Sequence, residues 1–355
     1  MSSSRFYAYV ANRAEKISVL RMSAESGELT KLQEVRVQPE DIAESVSKGR
    51  HMAMAMSPDR RFLYVGNRTP PYSILTFAIN TDDGTLSHLA ESATVDTVPF
   101  ISTDRTGRFL FAAHNPPDRK RRNGYISVAA ISEQGIALAP HQVIHTPPKT
   151  HSILPDPSNR FAFAPACDAD MVIRCAFDVA TGTLSPDGLA PLYTRPQSGP
   201  RHHRYHPNGR FLYINNEYDG TTYCYRYDAR DGTVAEIQIA ETRPPQMDKE
   251  ANVRASDMRF TADGKWLYSG IRGLPSLAIF GVDAVTGMLT PAGHCAVPKE
   301  PRGFSIDPTG RYLLDSAEHE NRVLTYRINP ETGALTKIAE LPLEAPNWIK
   351  TVRLS

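Results

Sequence analysis

The sequence predicts an all-β fold, a single seven-bladed β-propeller of four-stranded antiparallel blades that spans residues 1–355. Three observations predict it: a phrase that recurs about every 50 residues, a second turn motif with seven copies, and chain ends that match complementary parts of one repeat. Periods of roughly 40–50 residues built from short strands are typical of propellers, whose blades bury their faces only against neighbouring blades. One closed ring is therefore expected, although the length alone would allow two domains.

The recurring phrase is a turn of small and acidic residues, then Arg or Lys, an aromatic residue and an alternating apolar run. Alternation after a tight turn predicts a half-buried strand. A seventh copy, without its turn, opens the chain at residues 6–10. In the six complete copies the aromatic residues are 47, 52, 50, 55 and 46 residues apart, at Phe62, Phe109, Phe161, Phe211, Trp266 and Tyr312.

Residues 302–337 show the elements of one repeat in order. The first turn contains Pro, which fixes φ, and Gly, which permits a positive φ. Four short strands in about 50 residues make one propeller blade. The four strands are predicted at residues 303–307, 311–315, 322–328 and 334–338. They are joined by a Pro-Thr-Gly turn at 308–310, a polar turn at 317–321 and an Asn-Pro-Glu-Thr-Gly turn at 329–333.

The turn before the fourth strand also repeats, with Leu or Val two residues after Gly. The third blade carries a degenerate copy, Gln-Gly-Ile-Ala, at residues 134–137. Seven copies of this turn predict seven blades. The other six lie at residues 26–30, 83–87, 181–185, 231–234, 286–290 and 332–336.

The two ends of the chain fit ring closure. The chain starts on a second-strand pattern, and residues 345–353 resemble the inner-strand pattern at 300–305. We expect the C-terminal strand to join the N-terminal blade as its inner strand, which removes two open edges. Two long insertions, at residues 39–50 and 243–254, precede the second and sixth blades, and loops of this length often carry function.

The charge balance argues against nucleic acid or a membrane surface as the main partner. The chain carries 40 Lys and Arg against 39 Asp and Glu, for a net charge of +1. The basic run at residues 118–122 lies in a Pro-, Asn- and Gly-rich stretch and is interpreted as a solvated loop. We expect a monomer or a small homo-oligomer.

The four cysteines, the N-terminus and the hydropathy indicate a cytoplasmic protein. Cys167, Cys175, Cys224 and Cys295 show no CxxC pattern and no His at zinc-site spacing, so reduced, buried thiols are expected. The N-terminal residues contain no apolar segment typical of a signal peptide, and no apolar stretch is long enough to span a bilayer.

The register of the strands predicts which residues point to one end of the central channel. These are the starts of the inner strands and the ends of the second strands. The inner-strand starts are His51, Phe100, His151, Arg201, His202, Ser256, Asp257, Arg302, Asn347 and Trp348. The second-strand ends are Asn12, Arg13, Asn67, Arg68, His114, Asn115, Asp168, Asn216, Glu217, Arg272 and Glu318. A water-filled channel would tolerate polar residues here without any function.

The charges in this set favour a small anionic ligand. Arg201, Arg272 and Arg302, with Arg68, gather against few acids, and Arg binds carboxylate or phosphate through paired donors. Histidine titrates near neutrality and can act as acid or base, and a lone carboxylate such as Glu217 could activate water. We predict substrate-binding roles for His51, Arg68, His202, Arg302 and Asp257.

The sequence contains no motif for a serine nucleophile or a metal site. No Gly-x-Ser-x-Gly elbow and no HExxH motif occur. His202, His203 and His206 could suggest a metal, but His202 and His203 face opposite sides of one predicted strand. We expect no metal and no other cofactor.

Several segments together resemble the propeller lactonase family, which groups bacterial 6-phosphogluconolactonases with fungal 3-carboxy-cis,cis-muconate lactonizing enzymes. The resemblance extends from Tyr7 to Trp348 and rests on Gly-Pro-Arg-His at residues 199–202 with Asn-Glu at 216–217. His151-Ser152, Arg272 and Pro-Arg-Gly-Phe at 301–304 match as well, whereas His203 and Arg204 stand where relatives usually carry apolar residues. The resemblance implies seven blades and the active-site residues His151, Arg201, Arg272 and Glu217.

The favoured function is a lactonase of carbohydrate metabolism that hydrolyses a small anionic sugar-acid lactone. Arg201 and Arg272 would bind the acid or phosphate and stabilise the oxyanion, and Glu217 or His151 would activate water. A cycloisomerase that closes a carboxymuconate, a polycarboxylate, to a lactone would use the same residues, and the sequence does not separate the two. A non-catalytic propeller that serves as a binding module is the third alternative, and convergence of Glu217 with the arginines distinguishes it from the enzymes.

Overall fold

The computed structural model describes residues 5–37, 51–116, 123–245, 247 and 253–355. These residues form seven antiparallel sheets, one for each predicted blade. The strands of the first three blades are β1 (Arg5–Asn12), β2 (Lys16–Met22), β3 (Leu29–Arg36), β4 (Met54–Met56), β5 (Phe62–Asn67), β6 (Ser73–Ile79), β7 (Leu86–Ala93), β8 (Phe100–Thr103), β9 (Phe109–His114), β10 (Gly124–Ile131) and β11 (Ala137–Thr146).

The remaining strands complete blades four to seven and the ring. Two 3-10 turns, Cys167–Ala169 and Glu318–Glu320, follow the second strands of the fourth and seventh blades. The strands are β12 (Leu154–Pro155), β13 (Phe161–Ala166), β14 (Met171–Asp178), β15 (Thr183–Ser185), β16 (Leu192–Tyr193), β17 (Pro200–Tyr205), β18 (Phe211–Asn216), β19 (Thr221–Asp228), β20 (Thr233–Glu241), β21 (Arg254–Phe260), β22 (Trp266–Arg272), β23 (Ser276–Val282), β24 (Leu289–Ala296), β25 (Phe304–Ile306), β26 (Tyr312–Ala317), β27 (Arg322–Ile328), β28 (Leu335–Pro342) and β29 (Pro346–Leu354).

The C-terminal strand closes the ring as predicted. β29 pairs antiparallel with β1, so that Tyr9 lies opposite Lys350 and Val10 opposite Ile349. The first sheet therefore has the order β29-β1-β2-β3, with the C-terminal strand innermost. Because the first and last parts of the chain share one sheet, β1 is paired on both of its edges, with β29 on one side and β2 on the other.

The fourth blade departs from the four-strand pattern. Its outer edge is split into two short strands, β15 and β16, which both pair with β14. Pro186 and Gly188 stand between them. Proline has no backbone N–H to donate to a ladder and glycine weakens a strand, so the outer strand is interrupted here.

The two repeated motifs of the sequence pack on each other across the blade interfaces. The anchor aromatic residue of one blade lies against the turn glycine of the next: Phe62 against Gly135, and Phe109 against Gly182. At Gly182 and its six counterparts φ is positive, a conformation that glycine adopts without strain. The pairs in the other five interfaces are Phe161 with Gly232, Phe211 with Gly287, Trp266 with Gly333, Tyr312 with Gly27 and Tyr7 with Gly84.

Replacing Gly182 by Ala is expected to destabilise the ring. The new Cβ would overlap the Phe109 ring, and φ at this position is +73°. Left-handed backbone costs about 1–2 kcal/mol for a residue with a side chain, and overpacking costs about 1–3 kcal/mol, so we expect a loss of about 2–5 kcal/mol in the free energy of unfolding. Urea denaturation measures it.

Gly188→Ala is the matched control for this variant. Gly188 also has a positive φ, of +92°, but no atom of the described residues lies within 4 Å of the place that a Cβ would take. It should lose only the backbone part of the effect. Equal losses in the two variants would contradict the packing argument.

The side chains that line the channel form three successive groups along its axis. Acidic and basic residues, described below, occupy the end where the inner strands start. The rings of Phe100, His202 and Trp348 form the middle layer: the Phe100 centroid lies 5.3 Å from that of His202 and 6.1 Å from that of Trp348. Arg204, Arg259 and Lys350 line a cavity at the opposite end. The first layer contains most of the residues that the sequence predicts for the site.

Candidate active site

A single buried carboxylate, Glu217, gathers four cationic side chains at the end where the inner strands start. Its Oε1 lies 2.9 Å from Arg272 Nη2, 3.2 Å from Lys149 Nζ and 3.7 Å from Arg254 Nη1. Its Oε2 lies 3.3 Å from Arg201 Nε. Only 3% of the Glu217 surface is exposed, so its carboxylate is largely shielded from solvent. The predicted convergence of Glu217 with the arginines is present.

The loop and strand geometry of the fifth blade positions Glu217 and Arg201. Glu217 directly follows β18, and its backbone N–H donates to the Gly199 carbonyl at 2.6 Å. A register shift between Pro200 and His202 interrupts the pairing of β17 with β18. Bulges of this kind re-aim side chains, and here Arg201 reaches across to donate to the Ser256 carbonyl of the sixth blade.

The surrounding charges decide the ionisation of Glu217. Burial would raise the pKa of its carboxyl, but the positive charges of Arg201, Arg272 and Lys149 outweigh that effect and lower the pKa to about 2. Glu217 is therefore ionised throughout the neutral range. A carboxylate of so low a pKa, with both oxygens facing cations, is a poor proton acceptor and a good anchor for arginines.

His151 lies beside this cluster, and its Nδ1 is buried without a hydrogen-bond partner among the residues that the structure describes. Its ring contacts that of His202 edge to face, at 5.1 Å between centroids. Burial and the nearby Arg201 guanidinium hold the pKa of His151 well below 6.5. The imidazole is therefore neutral near pH 7 and has a nitrogen able to accept a proton.

A second acid–base group adjoins the Glu217 cluster. His51 Nε2 lies 2.8 Å from Glu318 Oε2, and Arg13 also pairs with Glu318. Arg302 Nη1 lies 3.4 Å from His51 Nδ1, and Arg68 Nη1 donates to the His51 carbonyl at 3.4 Å. Both ring nitrogens of His51 are thus engaged, and burial lowers its pKa to about 4.

The two clusters share one electrostatic environment. Burial, together with the charges of Arg272 and Arg302, lowers the pKa of Arg201 to about 10. Burial and the charge of Arg272 lower the pKa of Arg302 to about 10 as well. Both guanidiniums remain charged at neutral pH. The pocket is therefore rimmed by cations that repel one another and would be stabilised by an added anion.

His202 and Asp257 lie deeper than the sequence predicts. His202 Nδ1 and Asp257 Oδ1 are 2.9 Å apart, and His202 Nε2 faces Arg201 Nη1 at 3.4 Å. Asp257 pairs with Arg204 and Arg259, toward the opposite mouth, rather than with the arginines around Glu217. His202 thus lies behind the pocket, and Asp257 belongs to the other end of the channel.

Two residues in contact with Glu217 are absent from the set predicted by sequence. Lys149 precedes β12 in a loop, donates to the Tyr218 hydroxyl at 2.6 Å and stacks over that ring at 4.5 Å. Arg254 is the first residue of β21 and also lies over the Tyr218 ring. The strand alternation carries no information about Lys149, but its place two residues before His151 could have indicated it.

Buried donors without acceptors mark the pocket as a ligand site. Among the described residues, Arg272 Nε has no hydrogen-bond partner, and Arg201 Nε is near Glu217 without being aligned for a hydrogen bond. Buried polar groups are nearly always paired in folded proteins, so such donors indicate a missing partner. Nδ1 of His151 is a third buried polar atom without a partner in the same cluster.

Several expectations from the sequence concern segments or groups beyond this pocket. The basic run at 118–122, the insertion at 39–50 and half of that at 243–254 lie outside the described residues. Within the described ranges, no three His, Cys, Asp or Glu side chains are placed to hold a metal ion. No helix among them is long and apolar enough to cross a membrane.

The sequence matches the model of a protein family and is similar to several known proteins. The family model described as "Lactonase, 7-bladed beta-propeller" matches residues 1–121 and 100–351. The chain is 32% identical over 348 residues to a 6-phosphogluconolactonase of Pectobacterium carotovorum, covering 98% of both proteins. It is 32% identical over 344 residues to a 6-phosphogluconolactonase of Yersinia pestis, covering 96% of both.

Solved structures share the fold over nearly the whole chain. A periplasmic gluconolactonase of Pseudomonas aeruginosa superposes with a TM-score of 0.85 at 22% identity, covering 99% of each chain. A putative 6-phosphogluconolactonase of Bacteroides fragilis superposes with a TM-score of 0.84 at 24% identity, covering 99% of this chain and 98% of the other.

Proposed function

The chain belongs to the seven-bladed β-propeller lactonase family, and from this premise we propose that it hydrolyses a small anionic sugar-acid lactone, such as a phosphorylated gluconolactone. The observation that carries the proposal is the convergence of Arg201, Arg272 and Lys149 on Glu217 beside a neutral His151. Charged groups buried together with perturbed pKa values cluster at functional sites, which supports an enzyme over a non-catalytic propeller. The named relatives are 6-phosphogluconolactonases, which supports the substrate class.

We assign the role of general base to His151. Water held at the free nitrogen of His151 attacks the lactone carbonyl carbon and gives its proton to the imidazole. The carbonyl oxygen becomes an oxyanion, which the guanidiniums of Arg201 and Arg272 stabilise. The carbon–oxygen bond of the ring then breaks, and the imidazolium returns the proton to the ring oxygen, which leaves as a hydroxyl.

Glu217 has a positioning role in this scheme. It holds Arg201, Arg272 and Lys149 in fixed directions before substrate arrives, and such preorganised charge needs no reorganisation during the reaction. The alternative, in which Glu217 itself activates water, is less favoured. Both Glu217 oxygens already face cations, which lower the pKa of its carboxyl to about 2, whereas Nδ1 of His151 has no hydrogen-bond partner among the described residues.

The anionic tail of the substrate fits the second cluster. Within the described ranges, Arg302 has only loose partners, Glu300 at 3.9 Å and the His51 ring at 3.4 Å, and so retains N–H groups for a ligand. Arg13 and Arg68 lie around the same histidine and its carboxylate partner. We propose that a phosphate or carboxylate on the far end of the lactone binds here.

A substrate panel tests the proposal. Purified protein is assayed by pH-stat against 6-phosphogluconolactone, glucono-δ-lactone and an uncharged lactone, with spontaneous hydrolysis subtracted, and against a carboxymuconate by absorbance. We expect the highest kcat/KM for the phosphorylated lactone. Turnover of the carboxymuconate alone would overturn the proposal in favour of a cycloisomerase, and no turnover of any compound would favour a binding module.

The pH dependence of hydrolysis tests the choice of base. Since the pKa of His151 lies well below 6.5, the imidazole stays neutral as the pH falls through 6.5, and kcat should be constant from about pH 8 to pH 6. Activity is lost only at lower pH, where His151 gains a proton. Glucono-δ-lactone is the substrate for this measurement because it has no group that titrates in this range. A loss of half the activity near pH 6.5 would contradict the assignment.

A further inference from the structure

The mouth of the channel opposite the candidate active site contains a second concentration of positive charge. A cavity of about 600 Å³ opens there. Its wall includes Arg204 at the end of β17, Arg259 at the end of β21 and Lys350 in β29. Arg105, in an exposed turn, stands on the rim. We propose that this mouth is a binding site for a compact dianion, distinct from the lactone pocket.

Asp257 prearranges the two guanidiniums of this site. Its Oδ1 accepts hydrogen bonds from Arg204 Nη2 and Arg259 Nη1, both at 2.9 Å, and its Oδ2 lies 2.6 Å from Arg259 Nη2. Among the described residues, Arg204 otherwise donates only to the His203 carbonyl, and Arg259 only to that of Met258. A guanidinium has five N–H donors, so both side chains keep donors for a ligand while their direction is fixed.

Lys350 is a cation without a counterion in this mouth. Its ammonium makes no ion pair or hydrogen bond within the described part of the chain, although it lines the same cavity as the two arginines. Burial and the charges of Arg259 and Arg204 lower the pKa of Lys350 to about 7. A lysine held this way is stabilised when an anion neutralises its neighbours.

The carboxylates of the mouth do not cancel its charge. Four cationic side chains, Arg105, Arg204, Arg259 and Lys350, face two acids, Asp257 and Asp104. Asp104 is committed to its own turn, where it accepts from the backbone N–H groups of Thr106, Arg108 and Phe109. With Lys350 protonated, the formal balance is +2, which matches a ligand with two negative charges, such as a phosphate or a dicarboxylate.

The mouth and the lactone pocket are separate sites. The Phe100, His202 and Trp348 rings lie between them, and Arg204 stacks its guanidinium over Phe100 at 5.9 Å from the opposite side. Alternation along β29 places Trp348 in this layer and Lys350 below it. A ligand at the mouth therefore contacts none of Arg201, Arg272 and His151.

NMR of the lysine ammonium groups tests the proposal without reference to activity. Lysines are converted to their ¹³C-dimethyl forms, which retain the positive charge, and the Lys350 signal is assigned by its loss in Lys350→Met. Inorganic phosphate and malonate are titrated in separate arms. We expect the Lys350 signal to shift saturably and its midpoint pH to rise by about one unit in the presence of the anion.

Two variants separate the sites. Arg272→Gln, which alters the lactone pocket, should leave the Lys350 shift unchanged. Lys350→Met should weaken anion binding at the mouth at least tenfold, as followed by calorimetry in the Arg272→Gln background, whereas Lys299→Met, an exposed lysine elsewhere, should not. A response to phosphate alone would show that the site binds phosphate groups, and a response to malonate alone would show that it binds dicarboxylates. A shift of Lys350 no larger or more saturable than that of Lys299 would indicate an adventitious ion only and would overturn the proposal.

Discussion

Replacing His151 by Gln is expected to lower kcat for lactone hydrolysis by about 10²–10⁴-fold, the range typical for loss of a general base. Gln keeps much of the size and polarity of the imidazole but cannot accept a proton near pH 7. Because His151 is not one of the cations of the pocket, KM for the phosphorylated lactone should change little. Steady-state pH-stat kinetics measure both constants.

His319→Gln is the matched control for this variant, since His319 is exposed and lies in the same end of the molecule without a place in the pocket. It should retain full activity. Exogenous imidazole should partly restore turnover in a His151→Ala variant. A His151→Gln enzyme with kcat within threefold of the parent would exclude His151 as the general base and favour Glu217 in that role.

Replacing Glu217 by Gln is expected to lower kcat by about 10²-fold while leaving KM equal or lower, on the scale of losses seen when preorganised charge is removed from an active site. The variant leaves Lys149, Arg201 and Arg272 without their shared carboxylate. Cations that have lost their shared carboxylate attract an anionic substrate more strongly, but they no longer hold the directions that stabilise the oxyanion.

Stability provides an independent measure of the same change. Breaking a buried ion pair by removing one partner costs about 3–5 kcal/mol, so Tm of Glu217→Gln should fall and should recover in part when phosphate is added. Glu331→Gln, an exposed acid in a turn, is the control and should alter neither Tm nor kcat. Unchanged turnover in Glu217→Gln would show that Glu217 has no role in the reaction.

The fold followed from the sequence almost entirely, because a repeat reports the same local physics many times. For the last blade, the predicted second and third strands at 311–315 and 322–328 correspond to Tyr312–Ala317 and Arg322–Ile328. The family resemblance is confirmed, as is ring closure through β29. What the repeat did not reveal is that its two motifs are contact partners, an anchor aromatic on the turn glycine of the next blade.

The sequence predicted the end of the channel where the candidate site lies, but not which side chains of the bulged strands face it. Strand register placed Arg201, Glu217 and Arg272 at one end of the channel, and the structure brings them together. Register could not rank Ser256 and Asp257, because the pairing of β21 with β22 shifts between Ala255 and Met258. A bulge changes which side chain faces which way, and alternation in the sequence does not show it.

Residues held by loops were beyond the reach of strand patterns. Lys149 lies in a connection whose course depends on tertiary contacts, and it proves to pair with Glu217 of the fifth blade. The number of cations around Glu217 could be counted only in three dimensions. That count is what favours His151 over Glu217 as the base.

A structure of the protein with bound 6-phosphogluconate, the product of the proposed reaction, tests the central claim most directly. We predict that the carboxylate at C1 lies within hydrogen-bond distance of Arg201 or Arg272, that His151 is the nearest base to C1, and that the phosphate contacts Arg302. Electron density for the product at any other place on the propeller, with the pocket around Glu217 holding only water, would contradict the account.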